Sequence, residues 1–145
     1  MRRSDDDWES STRELGRMRD FKKLIAWQKA HRLSVAIHEA ANQSRSRFSP
    51  GWRSQLLRSV AAIPAQISEG SGSRTDAEFA RFLGMALKSA REVENHLILA
   101  RDLKGIDAER SARLIEDVDE VRRIVYSLAR AVRRRAGLED PNDRW

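Results

Sequence analysis

A chain of 145 residues with 40% hydrophobic and 34% charged side chains suits one helical domain better than a sandwich or barrel. It has no cysteine, which excludes disulfides, thiol catalysis and cysteine-bound zinc or iron–sulfur sites. The net charge of +6 is unevenly placed: residues 19–135 hold 23 basic and 14 acidic side chains, and both flanking segments are net acidic. A basic folded part suits a polyanionic partner, and equally an arginine-rich solvated surface. No apolar run approaches the roughly 18 residues of a membrane span and no secretory pattern opens the chain. A cytoplasmic location without a membrane partner is therefore expected.

Residues 1–18 have no hydrophobic periodicity and read as a disordered leader. The domain is expected over residues 19–135. Its first helix runs from a cap at Asp20 to about Asn42, with Ala26, Ala30, Leu33, Ile37 and Ala41 at helical spacing. Trp27, near its start, reads as a core or subunit contact, with Gln28 beside it.

Ser49 followed by Pro50 is a cap with proline at the first helical position. The second helix then reaches Glu69, with Leu56, Val60, Ile63 and Ile67 on one face. Pro64 falls inside it, where proline removes a backbone donor at a cost of about 3 kcal/mol. Gly70 is expected to supply the left-handed residue that stops the helix. Gln66 stands in an apolar stretch; if buried it needs hydrogen-bond partners, from Glu69 or from the third helix.

Gly70-Ser-Gly-Ser-Arg74 is the clearest break in the chain, and Thr75-Asp-Ala-Glu78 reads as a capping box opening the third helix. Phe79, Leu83, Ala86, Ala90, Val93, Leu97 and Ala100 continue that helix as a regular seam, and Gly105 is expected to end it. The fourth helix begins near Asp107 and keeps Leu114, Val118, Val121, Val125, Leu128 and Val132 in register. Its acids, Glu116 to Glu120, precede its arginines, Arg122 to Arg135, an order that complements the helix macrodipole. Residues 136–145 read as a flexible acidic tail. Short connections between long helices predict an all-α, antiparallel up-down four-helix bundle.

No catalytic motif is found, and no cofactor or metal is expected. None of His31, His38 or His96 follows a glutamate by three residues, as a di-iron carboxylate bundle requires. Glu92 and His96, four apart, read as a surface contact. The Gly70–Thr75 turn lacks the glycine pattern and the Gly-Lys-Ser/Thr ending of phosphate-binding enzyme loops, but Arg74 beside exposed helix-start amides suits an anion. Arg122, Arg123, Arg130, Arg133 and Arg134, with Lys22 and Lys23 at the other end of the sequence, are the candidate backbone contacts for RNA or DNA. Neither basic cluster shows aromatics interleaved for base stacking.

Four spaced segments resemble a known bacterial four-helix-bundle family. Phe21-Lys-Lys-Leu-Ile-Ala-Trp-Gln-Lys-Ala30 is similar to its opening F-x-x-L-x-x-W-Q-K-A, which contains Trp27 and Gln28. Gln55 and Arg58, followed by Ile63-Pro64-Ala-Gln66-Ile-Ser-Glu69-Gly70, resemble Q-x-x-R … I-P-x-N-I-A-E-G, with Gln66 where the family usually has Asn. Glu78-Phe79-Ala-Arg-Phe-Leu83 and Ser89-Ala-Arg-Glu92-Val-Glu94 resemble E-F-x-x-F-L and S-x-x-E-x-E. Lys88 replaces a frequent Gly before Ser89, and Gly51-Trp-Arg53 stands where the family often has an acidic residue.

The family comprises proteins encoded in intervening sequences of large-subunit ribosomal RNA genes, and is similar to the accessory variability determinant proteins of diversity-generating retroelements. The resemblance implies a homopentameric bundle with no established catalytic activity, the matched residues serving fold and assembly. In the retroelement branch it further implies a basic surface that binds nucleic acid beside a reverse transcriptase. A protein–protein adaptor whose charge is incidental is the alternative expectation.

Overall fold

In a computed structural model, the structure describes residues 20–44 and 48–138. A 3-10 turn, Phe21–Lys23, leads into helices α1 (Ile25–Gln43), α2 (Pro50–Ser71), α3 (Asp76–Asp102) and α4 (Ala108–Arg135). Each helix packs on its two neighbours in the cyclic order α1, α2, α3, α4, and the most extensive contacts join α3 to α2 and to α4. Contacts between opposite ends fix the chain directions. Gln43 at the end of α1 accepts from Arg110 near the start of α4, and Arg135 at the end of α4 meets Asp76 at the start of α3. Trp52, early in α2, stands edge-on to His96, late in α3. Neighbours therefore run antiparallel, as short connections dictate.

The seam residues expected from helical spacing are buried in all four helices, and together they form one core. Ser49 accepts the Trp52 amide hydrogen at 3.3 Å, Thr75 that of Glu78 at 3.2 Å and Asp107 that of Arg110 at 2.8 Å. Each cap satisfies a donor that the first turn leaves without an intrahelical partner. At the start of α3 half of the capping box forms, and the Glu78 carboxylate is turned to Arg81, 3.9 Å away.

The start of α1 differs from expectation. Asp20 caps the 3-10 turn, accepting from the Lys22 amide at 3.1 Å, and α1 begins five residues later at Ile25. Gln28 bridges the two pieces by donating its side-chain amide to the Lys22 carbonyl at 2.9 Å. Pro64 lies buried inside an uninterrupted α2. Its missing N–H leaves the Val60 carbonyl without its usual partner, and burial of the ring in the core offsets part of that cost.

Two glycines do other work than the sequence suggests. Gly70 does not stop α2: the helix runs on to Ser71, and Gly72 caps it with φ −85°. Gly70 is instead a contact point, where an added Cβ would lie 2.7 Å from the Phe82 Cβ and 2.8 Å from the Phe79 ring. Likewise, α3 ends at Asp102, and Lys104 takes the left-handed position with φ 58°. The Gly105 amide closes the turn on the Ala100 carbonyl at 2.9 Å, a Schellman bond. The Phe48 ring covers Gly105 so closely that a Cβ would fall within 1.8 Å of it. Ala136 to Leu138, which the sequence reading assigns to the tail, close α4 in the same way, with Gly137 at φ 69° and the Leu138 amide on the Arg133 carbonyl at 3.0 Å. The expected leader lies outside the described residues.

Candidate nucleic-acid interface

The antiparallel topology puts the start of α1, the end of α2, the start of α3 and the end of α4 at one end of the bundle. Basic residues far apart in sequence share that end. Lys22 and Lys23 sit on the 3-10 turn, which packs on α2 as well as on α1. Arg74 is exposed in the α2–α3 turn. Arg130, Arg133, Arg134 and Arg135 occupy the last two turns of α4, where cations also complement the helix C-terminus.

Arg135 pins this arrangement with two near-parallel bonds to the Asp76 carboxylate, 3.1 and 3.2 Å long. The start of α3 thus carries its own anions: Asp76 on Arg135 and Glu78 beside Arg81. This leaves the Arg74 side chain, more than the helix-start amides, to receive an external anion. Arg130 lies over the Tyr126 ring at 6.0 Å, and Arg133 donates to the Leu138 carbonyl at 2.9 Å.

Arg122 and Arg123 stand further along α4 and share one acid. Arg122 hydrogen-bonds Asp119, and the Arg123 Nε lies 3.2 Å from the same carboxylate. The Arg122 hydrogen bond, with the charge of both arginines, holds the Asp119 carboxyl below its usual value. The positive charge these two arginines offer outward is correspondingly reduced.

The residues carrying the family resemblance gather elsewhere. Gln55, Arg58, Gln66 and Glu69 follow one stripe of α2, and Glu78 and Glu92 one stripe of α3 that also carries Met85 and Lys88, at spacings of three, four, seven or eight positions. The stripes flank the same groove, bridged where the Ser89 hydroxyl donates to the Gln66 amide oxygen at 2.9 Å. The partner that Gln66 needs is therefore on the third helix. Phe79 joins the core on this side, and Trp27 is half-buried at the start of α1.

Of the Glu92–His96 pair, only Glu92 is exposed; His96 is 8% exposed and its Nε2 lies 3.6 Å from the carboxylate. Sequence spacing could not show that Trp52 covers His96 from α2. Among the described residues no group of three or more His, Asp or Glu side chains is placed to hold a metal ion. No described helix is long and apolar enough to cross a membrane.

The model of the 23S rRNA-intervening sequence protein family matches residues 22–127, from the basic 3-10 turn to the middle of α4. The chain belongs to that family. A crystal structure of a protein of unknown function from the S23 ribosomal protein family of Bacteroides thetaiotaomicron VPI-5482 has the same fold, with a TM-score of 0.66. The two chains are 26% identical over 72% of this one and 98% of the other. No curated protein matches the chain. The family match stops before Arg130, Arg133 and Arg134, so these arginines belong to this chain's own fourth helix beyond the matched region.

Proposed function

We propose that this member of the 23S rRNA-intervening sequence protein family is a non-catalytic, self-associating scaffold whose basic end holds the phosphate backbone of RNA or DNA. The observation behind this reading is the placement of Lys22, Lys23, Arg74, Arg130, Arg133 and Arg134 on elements at one end of the bundle, although they span more than 100 positions of sequence. Such a cluster releases counterions on contact with phosphate, so binding falls steeply with salt. Self-association into a pentamer is what the family resemblance implies, and the α2–α3 groove with its exposed Met85 is the face that suits it. A reverse transcriptase is the protein partner this reading adds where such a gene is a neighbour.

The test is titration of labelled single- and double-stranded oligonucleotides at two salt concentrations. Binding that weakens with salt is expected; no binding to either at low salt overturns the proposal. Light scattering at micromolar concentration reads the assembly, for which a monomer is the contrary result.

A protein–protein adaptor is the second reading. Exposed Leu99 near the end of α3 and Leu103 just beyond it favour it. Partner capture that survives neutralisation of Arg130 and Arg134, with no nucleic-acid binding by the native chain, would decide for it.

A further inference from the structure

At the basic end the start of α1 presents a short column of rings. Phe21, on the 3-10 turn, meets Trp27 edge-to-face with centroids 5.1 Å apart. Trp27 in turn stacks on His31, 4.8 Å away and only 14° from parallel. Trp27 and His31 lie one helical turn apart in the sequence, the spacing that lets the two rings stack. The column is held before any ligand arrives. Phe21 and Trp27 are half-buried against the core, and the Gln28 bond to the Lys22 carbonyl fixes the turn to the helix.

His31 is exposed, and Val35, one turn further along the same stripe, is 46% exposed. Trp27 covers one face of the imidazole. The same segment carries exposed cations: Lys22, 3.9 Å from the Asp20 carboxylate, Lys23, and Arg32 next to His31 in sequence. An exposed imidazole backed by Trp27, on elements that also carry exposed Lys22, Lys23 and Arg32, matches the two needs of a nucleotide, an aromatic platform for the base and cations for its phosphate. A duplex hides its base faces, so such a platform serves only unpaired nucleotides.

We infer that the Trp27–His31 stack is a docking platform for an unpaired base, which makes single-stranded nucleic acid the preferred ligand of the basic end. This rests on the proposed nucleic-acid reading and narrows it to a strand form. Arg32 and the lysines contact phosphate, and the outer face of His31 stacks on the base.

Fluorescence anisotropy of the full chain with a labelled 12-nucleotide adenine tract, made as RNA and as DNA, tests this. The controls are the same backbone without bases and a duplex of equal length. The tract is expected to bind more tightly than either control. His31→Ala should weaken it by about tenfold, the size of one lost base–aromatic contact, with little change for the base-free strand. His31→Phe, which keeps a ring, should restore the affinity. Loss of affinity on removing the bases from either the RNA or the DNA tract supports the platform. Equal binding of tract and base-free strand for both sugars overturns it, as does a tract affinity unmoved by His31→Ala. These results differ from failure of the parent reading, in which none of the probes binds at low salt.

Discussion

Ser89 on α3 gives its hydroxyl hydrogen to the side-chain oxygen of Gln66 on α2, across 2.9 Å. Ser89 is buried and Gln66 half-buried, so the bond sits where the two helices close on each other. It joins two of the segments that carry the family resemblance and satisfies a polar group set into an apolar stretch. An isolated Gln66 amide at this depth would cost more than the bond contributes. Ser89→Ala and Gln66→Ala, made singly and together, should show a coupling of about 1 kcal/mol in urea unfolding. Additive losses would mean that each group is satisfied by water.

Gly70 and Gly51 make opposite predictions from the same substitution. A methyl at Gly70 meets the Phe82 Cβ at 2.7 Å, an atom that cannot swing aside without moving α3. Gly70→Ala should therefore destabilise by about 1–2 kcal/mol, overpacking outweighing the better helix propensity of alanine. Gly51, in the first turn of α2, has nothing within 4 Å of such a methyl. Gly51→Ala should stabilise by about 0.5 kcal/mol through the lower entropy of the unfolded chain. Thermal unfolding of the two variants reads both signs.

Asp117 predicts a pH dependence. Although Asp117 is exposed, partial desolvation raises its carboxyl pKa, the neighbouring Glu120 and Glu116 add to the rise, and Lys29 and Arg113 oppose it without cancelling it. An acid with a raised folded-state pKa binds its proton more tightly when folded, so its charged form works against folding at neutral pH. Asp117→Asn should raise the melting temperature at pH 7. The gain should shrink as pH falls through the raised folded-state value and vanish below the ordinary 3.8, where the carboxyl is protonated folded or unfolded. A gain that persists at low pH would assign the effect to packing.

Most of the fold was legible because one physical signal, apolar residues every three to four positions, places a helix and names its buried face together. Leu56, Val60, Ile63 and Ile67 all lie on the predicted face of α2. Caps at Ser49, Thr75 and Asp107 were legible for a similar reason, since a side chain bonding an amide three residues on is local chemistry. Gly70 and Gly105 were not, because the rings that press on them come from residues 9 and 57 positions away. As sequence, a glycine near a helix end reads as a stop; only the neighbouring helix shows it as a contact. The candidate site divides along the same line. The pairing of Arg122 and Arg123 with Asp119 follows from spacing within one helix. The placement of Lys22, Arg74 and Arg134 at one end depends on the order and direction of all four helices.

The proposed interface holds phosphate at this end of the bundle and not by positive charge spread over the whole surface. It is tested most directly by the salt dependence of single-strand affinity in two variants of matched charge. Lys22→Gln/Arg130→Gln/Arg134→Gln removes three cations from the basic end, and Arg53→Gln/Arg101→Gln/Arg113→Gln removes three from elsewhere. The first should flatten the slope of log affinity against log salt by about 2, near 0.7 per lost phosphate contact, and the second should leave it unchanged. Equal flattening in both variants would contradict the account.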